Sequence, residues 1–168
     1  MTERRILLVR HAKAGRPSGV GDVDRPLSPR GHADAGAIGA WVAHRDFRPD
    51  LVICSPSKRT RQTWHGIALG MADAAGDNPP SPEVDYRAEV YDGDAADLLD
   101  LIQGVDDAVT TVMIIGHNPS VSLASELLDP EKAGDLRTSG VAAHSYDGPW
   151  DECGRGDAPL LETHTARG

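Results

Sequence analysis

Three short, almost wholly apolar runs limit what this chain can fold into: RILLVR at 5–10, LVICS at 51–55 and TTVMII at 110–115. None alternates as a strand with one wet face would, and each is shorter than an ordinary helix. Each therefore reads as a strand buried on both faces. Helical spacing fills the intervals. Ser28 and Pro29 offer an N-cap followed by proline at the first helical position, and Ala33, Ala37, Ile38, Trp41 and Val42 continue a helix over 29–44. Thr60, Trp64, Ile67, Ala68 and Met71 do the same over 57–71, and Asp94 can cap a helix carrying Leu98, Leu101 and Ile102. Asn118 and Pro119 repeat the cap-plus-proline signal before Val121, Ala124, Leu127 and Leu128. Residues 11–27 and 72–82 read as loops, VDYRAEVY at 84–91 as a further strand, and 140–146 and 160–165 as weaker strands around a glycine-rich loop.

Strands alternating with helices imply an α/β fold, three-layered, with a mostly parallel central sheet flanked by helices. At 168 residues, with neither repeats nor a long linker, the chain is expected to form one domain over 1–168. Its 17 Lys+Arg against 26 Asp+Glu give a net charge of −9, which speaks against nucleic acid as a partner. No apolar run approaches the length of a membrane span. MTERR leads straight into a strand without a secretory hydrophobic stretch, and Cys54 and Cys153 do not make a disulfide framework. A cytoplasmic protein is the expectation.

The chemistry-bearing residues follow the strands. Arg10 and His11 end the first, Ser55, Lys58 and Arg59 follow the second, and His117, Asn118 and Pro119 follow the third. The carboxyl ends of parallel strands share one edge of the sheet, and ligands bind there. Two arginines, two histidines and a helix N-terminus at that edge suit a phosphoryl group: guanidinium binds its oxygens in pairs, and a neutral imidazole has a lone pair for nucleophilic attack. The five other histidines, His32, His44, His65, His144 and His164, read as structural. Ser55 to Lys58 formally matches an S-x-x-K pair, but its companion motifs are absent, and no histidine pair has zinc-ligand spacing.

These motifs carry a resemblance. LLVRHAKAG at 7–15 resembles the Arg-His-Gly signature of the histidine phosphatase superfamily, with Ala12 where glycine is usual. SPSKRTRQT at 55–63 and IIGHNP at 114–119 are similar to its second and third motifs, and DRPLSPRG at 24–31 to a segment of its SixA-type phosphohistidine phosphatases. The resemblance implies a phosphoglycerate mutase-like fold and a phosphatase with no metal or cofactor. It implies His11 as nucleophile, Arg10 and Arg59 as the phosphoryl clamp, His117 as a further phosphoryl ligand and Arg25 as a lining residue of the phosphate pocket. Glu89, with Asp92 beside it, stands near where larger members supply a proton donor. The substrate class implied is a phosphorylated protein, with phosphohistidine foremost, or a small phosphorylated metabolite. The interval between the second helix and Glu89 is too short for a helical lid, so an open site is expected. A broad small-molecule phosphatase, a phosphoglycerate mutase-like enzyme and a non-catalytic phosphate-binding module are the alternatives. Sequence leaves the oligomeric state undetermined.

Overall fold

Successive side chains of the first strand leave in opposite directions, and both directions lead into a core. Ile6 and Leu8 enter one apolar cluster and Leu7 and Val9 another, all four fully buried. The fourth strand does likewise, Val112 and Ile114 on one side, Met113 and Ile115 on the other. A sheet with two dry faces must be covered twice, and it is. The computed structural model describes residues 3–75 and 81–166. It contains β1 (Glu3–Arg10), α1 (Pro29–His44), β2 (Leu51–Cys54), α2 (Lys58–Ala75), β3 (Glu83–Tyr86), α3 (Ala88–Asp92), α4 (Ala95–Gln103), β4 (Thr111–Gly116), α5 (Ser120–Leu128), β5 (Gly140–Asp147) and β6 (Leu160–Thr165).

The six strands lie in the order β3-β2-β4-β1-β5-β6. β3, β2, β4 and β1 are mutually parallel, whereas β5 runs antiparallel to β1, and β6 to β5. Ile38 and Val42 of α1 and Ile67 and Met71 of α2 cover one face. Leu98 and Ile102 of α4 and Val121, Ala124 and Leu128 of α5 cover the other. The mostly parallel three-layer expectation is met. α1 and α2 touch backbone to backbone: a Cβ on Gly39 would stand 2.1 Å from the Ile67 carbonyl oxygen. No described helix is long and apolar enough to cross a membrane.

Three local expectations need correction. VDYRAEVY is not one strand: pairing with β2 ends at Tyr86, the Arg87 amide closes onto the Cys54 carbonyl, and the chain turns into α3. That turn buries Val90 against Gly116, a placement worth more than extending an edge strand into solvent. α2 continues through Ala72–Ala75, whose alanines favour helix, so the loop expected over 72–82 starts later, and its residues 76–80 lie outside the described ones. Asn118 does not cap α5. The cap position is Pro119, with no side-chain bond; Asn118 Oδ1 instead accepts from the Ser122 hydroxyl and its Nδ2 donates to the Leu136 carbonyl.

Candidate active site

β1, β2 and β4 end together, and their following residues meet in a cleft of about 360 Å³ lined by Arg10, His11, Lys13, Ala14, Arg16, Arg25, Arg59, His117, Asn118 and Thr138. Parallel pairing makes this meeting automatic. Arg10 is opposite Gly116, and the His11 amide extends the ladder by donating to the Gly116 carbonyl at 3.0 Å. The rings of His11 and His117, 106 positions apart in sequence, thereby come to 5.4 Å between centroids.

Each ring's protonation follows from its partners. His11 Nδ1 lies 2.7 Å from the Ala12 carbonyl oxygen, which only accepts, so Nδ1 carries the proton and the lone pair is on Nε2. Burial lowers the His11 pKa to about 4, the Ala12 bond acting against it and the charges of Arg59, Arg10 and Arg25 with it. The ring is neutral at ordinary pH. His117 Nδ1 accepts from Arg59 Nη2 at 3.3 Å, so its Nε2 carries the proton and donates to Ser55 Oγ at 2.9 Å. Burial lowers the His117 pKa to about 3, helped by His11 and Arg59.

The two guanidiniums are anchored from behind. Arg10 Nη1 donates to the Leu136 carbonyl at 3.1 Å. Arg59, buried at the start of α2, donates from Nη1 to the Asp22 carbonyl at 2.7 Å and from Nη2 to the Asp22 carboxylate at 3.0 Å. Nε of both arginines is buried without a hydrogen-bond partner. An unpaired buried donor is costly, and an incoming oxyanion is the kind of acceptor that removes the cost. α2 also fixes the loop after His11, because Thr63 Oγ1 accepts from the Ala12 amide at 3.0 Å. The Ala12 methyl packs with Leu27 and Ala35 outside the cleft, which is how alanine is tolerated where the signature has glycine.

Arg25 lines the cleft, with Nε on the Gly15 carbonyl and Nη1 on the Asp22 carboxylate at 3.1 Å. Glu89 does not join it. It lies on α3, 2.6 Å from Arg87, which holds its carboxyl below the usual range, and neither it nor the exposed Asp92 lines the cleft. Sequence reasoning gave no role to Asp22 or Tyr91, and to Ser55 only its place after β2. Asp22 draws together Arg59, Arg25 and the Tyr91 hydroxyl (2.7 Å), and Tyr91 stands edge-on to His117. These bonds, Tyr91's first, hold the Asp22 carboxyl far below the ordinary carboxylate range. The loop before Arg25 and α3 thus meet across one side of the cleft, in place of a helical lid. Only the three-residue spacing of Asp22 and Arg25 hinted at this in sequence.

Comparison with known proteins agrees with this fold. Residues 6–79 match the family model of the histidine phosphatase superfamily, branch 1. An uncharacterized protein of Mycobacterium tuberculosis is 32% identical over 95% of this chain and 100% of its own length. A candidate phosphohistidine phosphatase SixA from Nakamurella multipartitia superposes with a TM-score of 0.80 at 28% identity, covering 99% of this chain and 98% of that one. The protein histidine phosphatase SixA complexed with tungstate has the same fold, with a TM-score of 0.78 at 22% identity and 96% coverage of both chains. The chain belongs to the histidine phosphatase superfamily, in its SixA-type branch.

Proposed function

We propose that this chain is a metal-independent phosphatase that removes the phosphoryl group from phosphohistidine on a protein, through a covalent intermediate on His11. The observation that carries the reading is the fixed tautomer of His11. Its Nδ1–H is committed to the Ala12 carbonyl, and Nε2 is free in a cleft shared with Arg10, Arg59 and His117. A binding site alone has no use for an aligned lone pair.

In the first step Nε2 attacks phosphorus in line with the leaving atom. The P–N bond to His11 forms as the bond to the leaving group breaks, and that bond's electron pair departs with the leaving atom. Phosphorylated at Nε2 while still protonated at Nδ1, the His11 ring is cationic, and its bond to the Ala12 carbonyl strengthens. In the second step water attacks phosphorus, the P–Nε2 pair returns to His11, and the proton of water passes to solvent. Arg10 and Arg59, which both line the cleft, neutralise the equatorial oxygens. His117, with its Nε2–H on Ser55 and its Nδ1 on Arg59, holds the Arg59 guanidinium in place beside those oxygens. Such preplaced donors are the main source of rate in phosphoryl transfer.

Leaving-group chemistry favours phosphohistidine over alkyl phosphates. No carboxylic acid lines the cleft among the described residues, and the nearby Asp22 is held ionised. An alkoxide needs a proton as it leaves; a phosphohistidine protonated on its other ring nitrogen releases neutral imidazole, a much weaker base. The test is to quench turnover of a phosphohistidine protein labelled on phosphorus. Acid-labile, base-stable label on His11, absent from His11→Ala, is expected. Label that never appears on the enzyme while turnover proceeds overturns the covalent route.

A further inference from the structure

Next to the cleft lies a second, larger one of about 460 Å³, lined by Lys13, Arg30, Asp34, Arg137, Thr138, Ser139, Thr165 and Ala166. Lys13 and Thr138 line both, so the two adjoin. Three cations against one carboxylate is unusual on a chain of net charge −9. Asp34 is buried in the wall and lies 3.6 Å from Arg30. The exposed Lys13 and Arg137 form no ion pair among the described residues.

The walls of this annex are set by the residues that build the first cleft. Arg10 and Asn118 both donate to the Leu136 carbonyl, and the Ser139 amide donates to the His11 carbonyl at 3.2 Å. The segment that presents Arg137 and Thr138 is therefore pinned at both ends to site residues. Ser139 holds a positive φ of 63° and its Oγ is buried without a partner, a costly conformation kept where the wall turns. On the opposite side, the Ser28 amide and hydroxyl both donate to the Lys13 carbonyl, and Gly31 packs so close that a Cβ would stand 2.1 Å from that oxygen. The first turn of α1, with Arg30, is thereby clamped beside Lys13.

We propose that this annex is a second anion subsite: it takes a carboxylate or phosphate carried by the substrate beyond the phosphoryl group, with Arg30, Arg137 and Lys13 as its ligands. The proposal rests on the reading that the first cleft holds the phosphoryl group. It predicts preference for substrates with two separated negative charges. Single-anion compounds would use only half of the site.

Calorimetric titration tests this without requiring turnover. The probes are orthovanadate, methylphosphonate and alkane-α,ω-bisphosphonates of graded chain length. At one optimal length the bisphosphonate is expected to bind about tenfold more tightly than methylphosphonate, and Arg30→Ala with Arg137→Ala to abolish that gain while leaving orthovanadate affinity unchanged. Arg137→Ala alone, at an exposed side chain, is the control against misfolding and is expected to lose part of the gain. Bisphosphonates no tighter than methylphosphonate at any length, or a gain that survives both substitutions, overturn the subsite. Failure of orthovanadate to bind overturns the phosphoryl site instead. The source of the second charge is read by turnover of a phosphohistidine peptide flanked by glutamate against its glutamine counterpart. A preference for glutamate, lost in Arg137→Ala, assigns the subsite to acidic protein substrates; bisphosphonate gain without peptide preference assigns it to small bis-anionic metabolites.

Discussion

His11 and His144 are chemically the same device in two regions of the sheet. Each is a neutral imidazole whose charged form is disfavoured by burial, and each has Nδ1 on a backbone carbonyl, Ala12 at 2.7 Å and Ala158 at 2.8 Å. The difference is the other nitrogen. In the interior of β5, His144 Nε2 accepts from Ser125 Oγ at 2.7 Å, which leaves the ring saturated and fully buried. At the carboxyl edge, His11 Nε2 has no hydrogen-bond partner among the described residues and belongs to a cleft with two guanidiniums. Burial and a depressed pKa therefore do not mark function by themselves; a free lone pair among cations does. The arginines repeat the lesson. Arg4, buried at the amino end of β1, spends its donors on the carbonyls of Gly148, Asp107 and Val109, whereas Arg10 and Arg59 each keep Nε unpaired. Arg5 also has an unpaired Nε, but its guanidinium lies over the Phe47 ring, away from any shared anion site. Convergence is the distinguishing property.

The sharpest way to break the comparison is to truncate both rings. His11→Ala is expected to lose turnover by roughly 10⁴-fold or more while keeping its melting temperature. His144→Ala is expected to keep kcat within about twofold and to lose roughly 1–3 kcal/mol of stability, because Ser125 Oγ and the Ala158 carbonyl are left unsatisfied. Rates and chemical denaturation on the two proteins decide it; residual activity in His11→Ala close to wild type removes the proposed nucleophile.

Arg59→Ala comes next, with an expected fall in kcat of roughly 10²–10³-fold, the usual cost of deleting one donor aimed at developing charge. Asp22 and His117 would lose a shared partner, so inorganic phosphate affinity should fall with the rate. An unchanged phosphate affinity would place Arg59 outside the clamp.

The two regions were not equally legible in sequence. The carboxyl edge was, because a run such as RILLVR has one way to be buried, and parallel pairing then delivers Arg10, Arg59 and His117 to the same end. Ala12 departed from the signature without moving that edge, since its methyl faces Leu27 and Ala35. What lay beyond the edge was not legible. VDYRAEVY has strand composition, yet burial of Val90 turns residues 88–92 into helix and sets Glu89 against Arg87. The role of Asp22 depends on contacts with residues 37 and 69 positions away, which no local pattern encodes.

The protonation half of the comparison can be sharpened by pH. Nitrogen NMR of the imidazoles is expected to show His11 as the neutral Nδ1–H form down to pH about 4, against an ordinary value of 6.5. The sign for stability follows. Below 6.5 the unfolded chain takes up protons that the folded His11 and His117 refuse, so the contribution is complete above 6.5 and declines as pH falls, toward 4 for His11 and toward 3 for His117. A His11 that titrates near 6.5 in the folded protein would falsify the burial argument for its nucleophilicity.

The smallest expected effect falls on Glu89, and it is informative because it is small. An acid that protonates a leaving group must reach it, and Glu89 is an exposed side chain, paired with Arg87, outside the cleft lining. Surface pairs of this kind are screened by solvent and contribute little. Glu89→Gln should therefore change kcat on a phosphohistidine protein by less than about twofold and leave the alkaline side of the pH profile in place. The decisive control is a substrate with a poor leaving group. If Glu89 did supply a proton, its loss would slow an alkyl phosphate far more than a phosphohistidine, since only the alkoxide needs the proton. Equal, near-wild-type rates on both assign leaving-group protonation to solvent; a selective collapse on the alkyl phosphate would mean that α3 moves toward the cleft when substrate binds.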